Sequence, residues 1–356
     1  MTHQLLGAEP LTAEQVGFAV EQLVAEIVQA ELKAGFLVAL AQKGETVEEI
    51  TCFARELRVR SVQPILDEQT RAVEILDVCG TGGDRLNTFN ISTTVALIAA
   101  AAGVPVAKHG NRAITSQSGS ADVLEALGIR IDLAPEEAAT SLREHGFAFF
   151  FAPSYHPAFK HIGPARKLCA TRGQRTIFNF LGPLLNPVRP SAQLVGVPHP
   201  ELCAPMAQVL QSLGARRAMV VCGSVEPALP DPGTPASAAS AYLDELSTLG
   251  ESTVAEFYQD KGFALSMLKP EFLLQPATLD DLRGGDSATN AQIVRRLLNG
   301  EEKGPRLEAV LLNAGAALFV AGKVRTMADG WELAAEIIQS GKARQKLEDL
   351  AKAFPR

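Results

Sequence analysis

From Ile75 onward the chain alternates short apolar runs with stretches of helical periodicity, and that alternation restricts it to a helix-flanked sheet. Val104 to Ala107, Phe147 to Phe151, Leu194 to Val197 and Ala218 to Val221 read as buried strands of a mainly parallel sheet. The first seventy residues carry helical signals only. Thr12-Ala-Glu-Gln15 and Thr46-Val-Glu-Glu49 are capping boxes, and Phe18, Leu23, Ile27, Leu32, Phe36, Leu37 and Leu40 recur near helical spacing until Pro64 closes the lobe. With 356 residues, 47% of them hydrophobic, the chain can bury one large core and one smaller one. The expected organisation is α/β: a small helical domain over 1–72 and a larger α/β domain over 73–356.

Two glycine-punctuated segments lie at the ends of these strands. Asp77-Val-Cys-Gly-Thr-Gly-Gly-Asp84 opens where the run Ile75, Leu76, Val78 stops. Its glycines 80, 82 and 83 let backbone N–H groups approach anionic oxygens. Asn90-Ile-Ser-Thr93 then begins a long apolar helix, whose N-terminus supplies unpaired donors and a positive dipole end. No Gly-Lys-Ser/Thr closes the loop, and the glycine spacing does not match the dinucleotide fingerprint. Asp84 would repel bound phosphates unless a cation or a ligand hydroxyl lay between, so the loop suits a metal-phosphate or sugar-phosphate ligand. A glycine-rich β-to-α turn with no ligand remains the alternative for this segment alone.

The second segment narrows that choice. Val104-Pro-Val-Ala107 is followed at once by Lys108, His109, Asn111 and Arg112 around a single glycine, then by Thr115, Ser116, Ser118 and Ser120. These hydroxyls can donate to phosphate oxygens, and Ser120 also reads as the N-cap of a helix over 121–127. Lys108, at the carboxyl end of a strand, occupies the position where open α/β sheets bind ligands and reads as a phosphate contact.

Charge and cysteine usage exclude several classes. A net charge of −7 offers no basic field for nucleic acid or an anionic membrane. Cysteines 52, 79, 169, 203 and 222 are scattered, with no C-x-x-C pair, which argues for reduced thiols. Met-Thr-His-Gln-Leu-Leu does not resemble a signal peptide, and the longest apolar stretch, Val95 to Ala107, is too short to span a bilayer. A cytoplasmic enzyme is expected.

An ordered series of motifs resembles the anthranilate phosphoribosyltransferase family over nearly the whole length. It comprises Gly-Thr-Gly-Gly-Asp (80–84), Thr-Phe-Asn-Ile-Ser-Thr (88–93), Lys-His-Gly-Asn-Arg (108–112), Gly-Ser-Ala-Asp-Val-Leu-Glu-Ala-Leu-Gly (119–128) and Arg-Thr-Ile-Phe-Asn-Phe-Leu-Gly-Pro-Leu-Leu-Asn-Pro (175–187). Leu-Asp-Glu-Leu-Ser (243–247), Gly-Gly-Asp-Ser-Ala-Thr-Asn-Ala (284–291) and Leu-Leu-Asn-Ala-Gly-Ala-Ala-Leu (311–318) continue it.

The resemblance implies transfer of the phosphoribosyl group of phosphoribosyl pyrophosphate to the amine of anthranilate, a step of tryptophan biosynthesis. It implies phosphoribosyl pyrophosphate contacts from Gly80, Gly83, Asp84, Thr88, Asn90, Ile91, Ser92, Thr93, Lys108, Ser116 and Ser120. Gly80, His109, Asn111 and Arg166 would meet anthranilate, with His109 a possible proton acceptor after attack and His156 a weaker candidate. Adjacent carboxylates on a loop are ordinarily just solvated, but the family places Mg2+ at the positions matching Asp244 and Glu245, with Ser92 reaching the ion. Few carboxylates suffice for magnesium when substrate oxygens complete the shell. The resemblance also implies that 165–190 rejoins the helical domain and that the protein is a homodimer through that domain.

Two segments depart from the family. Ser224 to Ala241 is a Pro/Ala/Ser-rich insertion just before the acidic pair, expected to be a flexible surface excursion that shifts the acidic loop or covers it. Cys169-Ala-Thr-Arg-Gly-Gln174 is longer than the family pattern and makes the role of Arg172 ambiguous. Three other functions stay open: a related transferase with another aromatic acceptor, a pyrimidine nucleoside phosphorylase, and a non-enzymatic relative that binds nucleic acid. The phosphorylase would need a longer C-terminal domain, and the nucleic-acid binder a basic surface.

Overall fold

The computed structural model describes residues 1–113, 117–225, 241–259, 262–269 and 276–355. The N-terminal lobe is helical throughout: α1 (Thr2–Leu6), α2 (Ala13–Val24), α3 (Ala30–Lys43), α4 (Val47–Val59) and α5 (Glu68–Ala72). Both capping boxes form. Thr12 and Thr46 accept from the backbone N–H groups of Gln15 and Glu49, whose side chains return the bond. Glu49 also accepts from the Leu11 N–H (2.8 Å) and the Lys43 ammonium (2.6 Å), so one buried carboxylate ties three segments of the lobe together.

The larger part is built on one eight-stranded sheet. Its strands are β1 (Leu76–Gly80), β2 (Val106–Gly110), β3 (Phe147–Phe151), β4 (Ala192–Gly196), β5 (Arg217–Val225), β6 (Ala241–Leu243), β7 (Ser252–Tyr258) and β8 (Ala264–Leu268). The order is β3-β2-β1-β4-β5-β7-β8, with β6 paired to the far end of β5. The first five strands run parallel and the last three antiparallel. Helices α6 (Ile91–Ala101), α7 (Ser120–Ala126), α8 (Pro135–His145), α9 (Ala152–Tyr155), α10 (Gly163–Thr171), α11 (Cys203–Ser212), α12 (Ser287–Leu298), α13 (Pro305–Val320), α14 (Met327–Gln339) and α15 (Lys342–Ala353) complete the chain. The main core joins α6 and α13 to the sheet through residues such as Leu97, Ile98, Leu312 and Val221.

Chain order matters for the site. From β1 the chain moves outward to β2 and β3, then returns to lay β4 on the opposite side of β1. Outside the carboxyl ends of β1 and β4 is therefore a switch point, the crevice where open α/β sheets hold ligands. The returning segment packs on the helical lobe. Lys33 on α3 donates to the His161 carbonyl (2.8 Å), Arg58 on α4 donates to the Leu184 carbonyl (2.6 Å), and Ile177, Leu181 and Leu184 share a core with Leu37, Phe53 and Leu57.

Several expectations need correction. β2 starts two residues later than the apolar run and continues through Lys108 and His109, which are strand residues and not part of a loop. Ser120 is the first residue of α7, not its cap. Gly119 caps it, with the Asp122 carboxylate accepting from the N–H groups of Gly119 (3.0 Å) and Ala113 (2.9 Å). The long 169–174 segment leaves α10 intact: Gly173 takes a positive φ of 66° and the Gln174 N–H closes on the Cys169 carbonyl at 3.0 Å, an ordinary helix terminus. Ser116 and residues 226–240 of the insertion lie outside the described residues.

Candidate active site

At the end of β1 the chain turns sharply through Gly80 to Asp84. Gly82, Arg85 and Asn87 all have positive φ (71°, 59° and 56°), conformations that only a supported loop sustains for the two non-glycine residues. Support comes from across the molecule. The Phe89 N–H donates to the Leu282 carbonyl (3.0 Å), the Gly284 N–H to the Asn87 carbonyl (2.9 Å), and Thr88 bridges to Arg283. Asn290 accepts from the Gly285 N–H (2.8 Å) and donates to the Asn90 side chain (2.9 Å), which fixes the entrance of α6. Ile91 and Thr93 are buried in that first turn, and the Thr93 hydroxyl has no partner among the described residues.

The acidic pair meets this loop from β6. Asp244 accepts from the Gly82 N–H (2.7 Å), and Glu245 from the Ser92 N–H (3.2 Å). Space for Asp244 exists because the last residues of β1 and β4, which are in register, are both glycine. A side chain on Gly80 would collide with the Asp244 carboxylate, and one on Gly196 with the Asp244 backbone. Behind the pair, Asn313 clamps both the N–H (2.9 Å) and the carbonyl (3.0 Å) of Leu246. The Ser247 hydroxyl donates to the Ser224 carbonyl at 2.6 Å. The insertion thus leaves the acidic loop seated against the glycine loop.

Electrostatics mark the same place. Burial, reinforced by the negative charge of Asp84, raises Asp244 to about 7, and burial beside Asp244 pushes Glu245 well above the ordinary carboxylate range. The positive charge of Lys108 acts on Glu245, its ammonium buried and donating to the Val78 carbonyl (2.6 Å) and the Ser92 hydroxyl (3.4 Å). Burial lowers its own proton affinity, while Asp77 and Glu245 act against that. Asp77, raised to about 6 by burial, accepts from Asn186 (2.8 Å) and the His109 N–H (3.3 Å). Asn186 also donates to the Ala107 carbonyl (2.7 Å), so it stitches β1 to β2 under the site.

Among the described residues no three His, Cys, Asp or Glu side chains lie close enough to ligate one ion between them. Hard carboxylate oxygens crowded together, their repulsion relieved only in part by Lys108 and by the Gly82 and Ser92 N–H groups, nonetheless fit a magnesium ion that takes one or two protein ligands and fills its shell from a substrate.

On the far side of Lys108 the character changes from ionic to aromatic. The His109 ring meets His156 edge-on at 5.3 Å, His156 stacks on Phe159 at 5.1 Å, and Phe159 meets Phe178 edge-on at 5.7 Å. The Arg166 guanidinium covers the Phe178 ring at 5.5 Å. Arg166 is half-buried and forms no ion pair with a carboxylate among the described residues, and burial lowers its pKa. His109 Nδ1 faces the Gly182 carbonyl at 3.3 Å, and burial takes the ring down to about 3. At neutral pH it is therefore an uncharged hydrogen-bonding group and a poor proton acceptor. Asn111 is exposed at the rim, its side-chain oxygen accepting from the Arg112 N–H at 2.8 Å, while the Ser120 hydroxyl turns to the Asn111 carbonyl at 3.4 Å.

The structure thus gathers Gly80 to Asp84, Asn90 to Thr93, Lys108, Asp244 and Glu245 into a phosphate-type half, and His109, His156 and Arg166 into an aromatic half. The supporting residues Asn186, Gly284 and Asn290 fall inside motifs that carry the family resemblance, and Gly196 inside the strand run Leu194 to Val197, but nothing local in the sequence marks the contacts they make.

Comparison with known proteins agrees with this division. Residues 1–61 match the model described as "Glycosyl transferase family, helical bundle domain", and residues 72–230 and 233–344 match "Glycosyl transferase family, a/b domain". The chain is similar to anthranilate phosphoribosyltransferase of Geobacter sp. strain M21, at 47% identity over 89% of this chain and 87% of that protein. It is similar to that of Petrotoga mobilis at 43% identity over 98% and 94%. Among solved structures it resembles the Thermus thermophilus enzyme of the same name, with TM-score 0.84, 41% identity and coverage of 99% and 98%. The Saccharomyces cerevisiae enzyme, solved with PRPP and Mg, superposes with TM-score 0.83, 26% identity and coverage of 99% and 97%.

Proposed function

The chain belongs to the anthranilate phosphoribosyltransferase family and transfers the phosphoribosyl group of phosphoribosyl pyrophosphate to the amine of anthranilate, and we propose that the two halves of the site divide that reaction between them. The glycine loop with Gly80, Gly83, Asp84 and Thr88, and the α6 entrance with Asn90, Ile91, Ser92 and Thr93, receive the phosphoribosyl pyrophosphate. Ser116 and Ser120 belong to the same reading. Asp244 and Glu245, with Ser92, hold Mg2+ against the pyrophosphate; bound there, the ion offsets charge that builds on the leaving group.

The observation that carries this reading is the buried acidic pair packed on Gly80 and Gly82 one strand away from the Lys108 ammonium. Lys108 stabilises the departing pyrophosphate, and the backbone donors of the loop orient it before reaction. The anthranilate carboxylate pairs with Arg166, whose half-buried guanidinium has no acid partner among the described residues, while Gly80, Asn111 and His109 border the ring. An aryl amine attacks with its own lone pair, so the chain's contribution to that step is orientation and exclusion of water. The products are N-(5-phosphoribosyl)anthranilate and pyrophosphate.

The helical domain is read as 1–72 joined by 165–190, with 73–356 as the α/β domain. The exposed apolar residues Phe18, Ile27 and Leu32 suit a homodimer contact through the helical lobe. Among the described residues no helix is long and apolar enough to cross a membrane, and the reading places the enzyme in the cytoplasm.

Loss of anthranilate fluorescence on adding phosphoribosyl pyrophosphate and magnesium tests the assignment, with Asp244→Ala/Glu245→Ala and Arg166→Ala run alongside. Magnesium-dependent consumption impaired in both variants is expected. Consumption undiminished in either would overturn that half of the site.

A further inference from the structure

The segment Gly284 to Ala291 belongs to neither half of the site, yet Asn290, on α12 and 2% exposed, bonds directly to the α6 entrance. The direction of that bond is fixed. The Gly285 N–H can only donate, so the Asn290 atom that meets it at 2.8 Å is the side-chain oxygen. Asn290 then has its NH2 group left, and this donates to the Asn90 side-chain oxygen at 2.9 Å. Asn90 in turn is left with its own NH2 group. That group donates to nothing among the described residues, on a side chain that is only half-buried, and it is not closed off from solvent.

This is not the ordinary use of an asparagine at that position. Asn90 is the N-cap of α6, where an asparagine normally turns its oxygen onto the N–H of the second or third helical residue. Its side chain makes no such bond, and the Ser92 N–H, second in the helix, goes to Glu245. The capping oxygen is drawn off to α12 instead. Gly284 makes room for the approach, since a Cβ there would meet Asn290 Oδ1 at 2.6 Å and Phe89 Cα at 2.8 Å. A local stabilising bond is given up, and the polarity of the amide toward the crevice is set.

We propose that Asn290 is a positioning residue that fixes the orientation of the Asn90 amide, so that Asn90 meets phosphoribosyl pyrophosphate as a hydrogen-bond donor to a phosphate oxygen and not as an acceptor. This rests on the α6 entrance being where that substrate binds. An amide free to turn over would show its oxygen to the phosphates part of the time, and that contact is repulsive; the relay from Gly285 through Asn290 to Asn90 removes the choice before the ligand arrives. Two backbone donors at the entrance are already taken, the Gly82 N–H by Asp244 and the Ser92 N–H by Glu245, so an oriented side-chain donor adds what they do not supply.

The test is calorimetric titration of the full-length protein with phosphoribosyl pyrophosphate and magnesium, run as a double-mutant cycle of Asn290→Asp and Asn90→Ala. In Asn290→Asp the carboxylate still accepts from the Gly285 N–H but has no donor for Asn90, whose amide must turn over and show the ligand its oxygen. Binding should weaken about tenfold or more, the effect of one lost hydrogen bond to a charged group, while KM for anthranilate at saturating phosphoribosyl pyrophosphate moves less than about twofold. In the Asn90→Ala background the same change should cost less than about twofold, because its effect travels through the Asn90 amide, whereas a general structural or long-range charge effect would persist. Equal weakening in both backgrounds, or unchanged binding in a folded Asn290→Asp, would overturn the proposal. Parallel titrations with magnesium pyrophosphate and with ribose 5-phosphate tell the two phosphate ends apart: the one whose binding falls in Asn290→Asp is the one Asn90 meets, and a fall in neither would again overturn it. If Asn290→Asp does not fold, Asn90→Asp decides, since it keeps the acceptor for Asn290 and replaces only the ligand-facing NH2. It should bind phosphoribosyl pyrophosphate more weakly than Asn90→Ala does, and equal or tighter binding would sink the inference. A wild type that binds no phosphoribosyl pyrophosphate would bring down the reading of the entrance and the inference with it; binding by the wild type with an unaltered Asn290→Asp would remove the inference alone.

Discussion

The backbone of Asp244 lies where a side chain on Gly196 would have to go, although the two residues belong to a loop and a strand 48 positions apart in the chain. A methyl group at this position forces either the strand end or the acidic loop to move. Gly196→Ala should cost about 1–3 kcal/mol of stability, the range for overpacking a rigid site, and should remove most magnesium-dependent turnover. Chemical denaturation and an activity titration with magnesium check the two effects; wild-type behaviour in both would show that the loop is free to shift.

Charge repulsion at the acidic pair gives a second prediction. At neutral pH and without metal, the buried Asp244 carboxylate sits against Asp84 and Glu245, so Asp244→Asn should raise the melting temperature of the metal-free protein. A gain of about 1 kcal/mol corresponds to roughly 1–2 °C in a chain of 356 residues, whose unfolding entropy is large. The same variant should lose the additional stabilisation that magnesium plus pyrophosphate gives the wild type. A melting point that falls in the metal-free variant would show that the carboxylates are not in conflict.

The buried histidines set a pH dependence whose sign follows from their lowered pKa. His156 in the unfolded chain takes a proton near 6.5, while in the folded protein it does so only near 4. Acid therefore favours the unfolded chain: the neutral ring's contribution is complete above about 6.5 and is lost as pH falls toward 4. Asp77 and Asp244, raised to about 6 and about 7, act in the opposite direction, so the wild-type curve alone is a mixture. Comparison with His156→Gln removes them. The stability difference between wild type and variant should decline by up to about 1.4 kcal/mol per pH unit between 6.5 and 4. A constant difference would show that the ring titrates normally.

Asn186 supplies the two N–H donors that tie Asp77 to the Ala107 carbonyl. Asn186→Ala leaves a buried carboxylate and a buried carbonyl each short of a partner, which should cost about 2–4 kcal/mol. Because Asp77 also accepts from the His109 N–H, the end of β2 should loosen first. Faster amide exchange at His109 and Lys108 than at β5 would display that order; uniform protection would contradict it.

How far the chain could be read without coordinates depended on how local each constraint was. The helical lobe was legible because capping boxes at Thr12 and Thr46 are complete within four residues, and the phosphate-type loop because three glycines and a helix start fall within fourteen. The apolar run alone ends the strand at Ala107, because a lysine inside a buried strand contradicts the apolar pattern; the Val78 carbonyl and the nearby acidic residues Asp77 and Glu245 make it tolerable. Ser120 sits inside the first turn and not at the cap: the Asp122 carboxylate three residues beyond Gly119 accepts the Gly119 N–H, while the Ser120 hydroxyl turns to the Asn111 carbonyl. Gly196, Asn186 and Asn290 act across separations of 48, 109 and 200 residues, and no periodicity or spacing records a contact of that kind.

The short ladder in which Gly223 to Val225 pairs with Ala241 to Leu243 has a consequence for how this sequence can change. Among the described residues, the groups that fix Asp244 and Glu245 lie in the ladder itself, at Ser224, or on its inner side, in Gly82, Ser92 and Asn313. Lengthening the connection between its two ends adds only the slow logarithmic cost of closing a larger ring, about 0.6 kcal/mol for each doubling. The ladder therefore works as a strain relief for the genome as much as for the protein: codons can accumulate between Val225 and Ala241 while the acidic pair a few residues away stays under separate mechanical control.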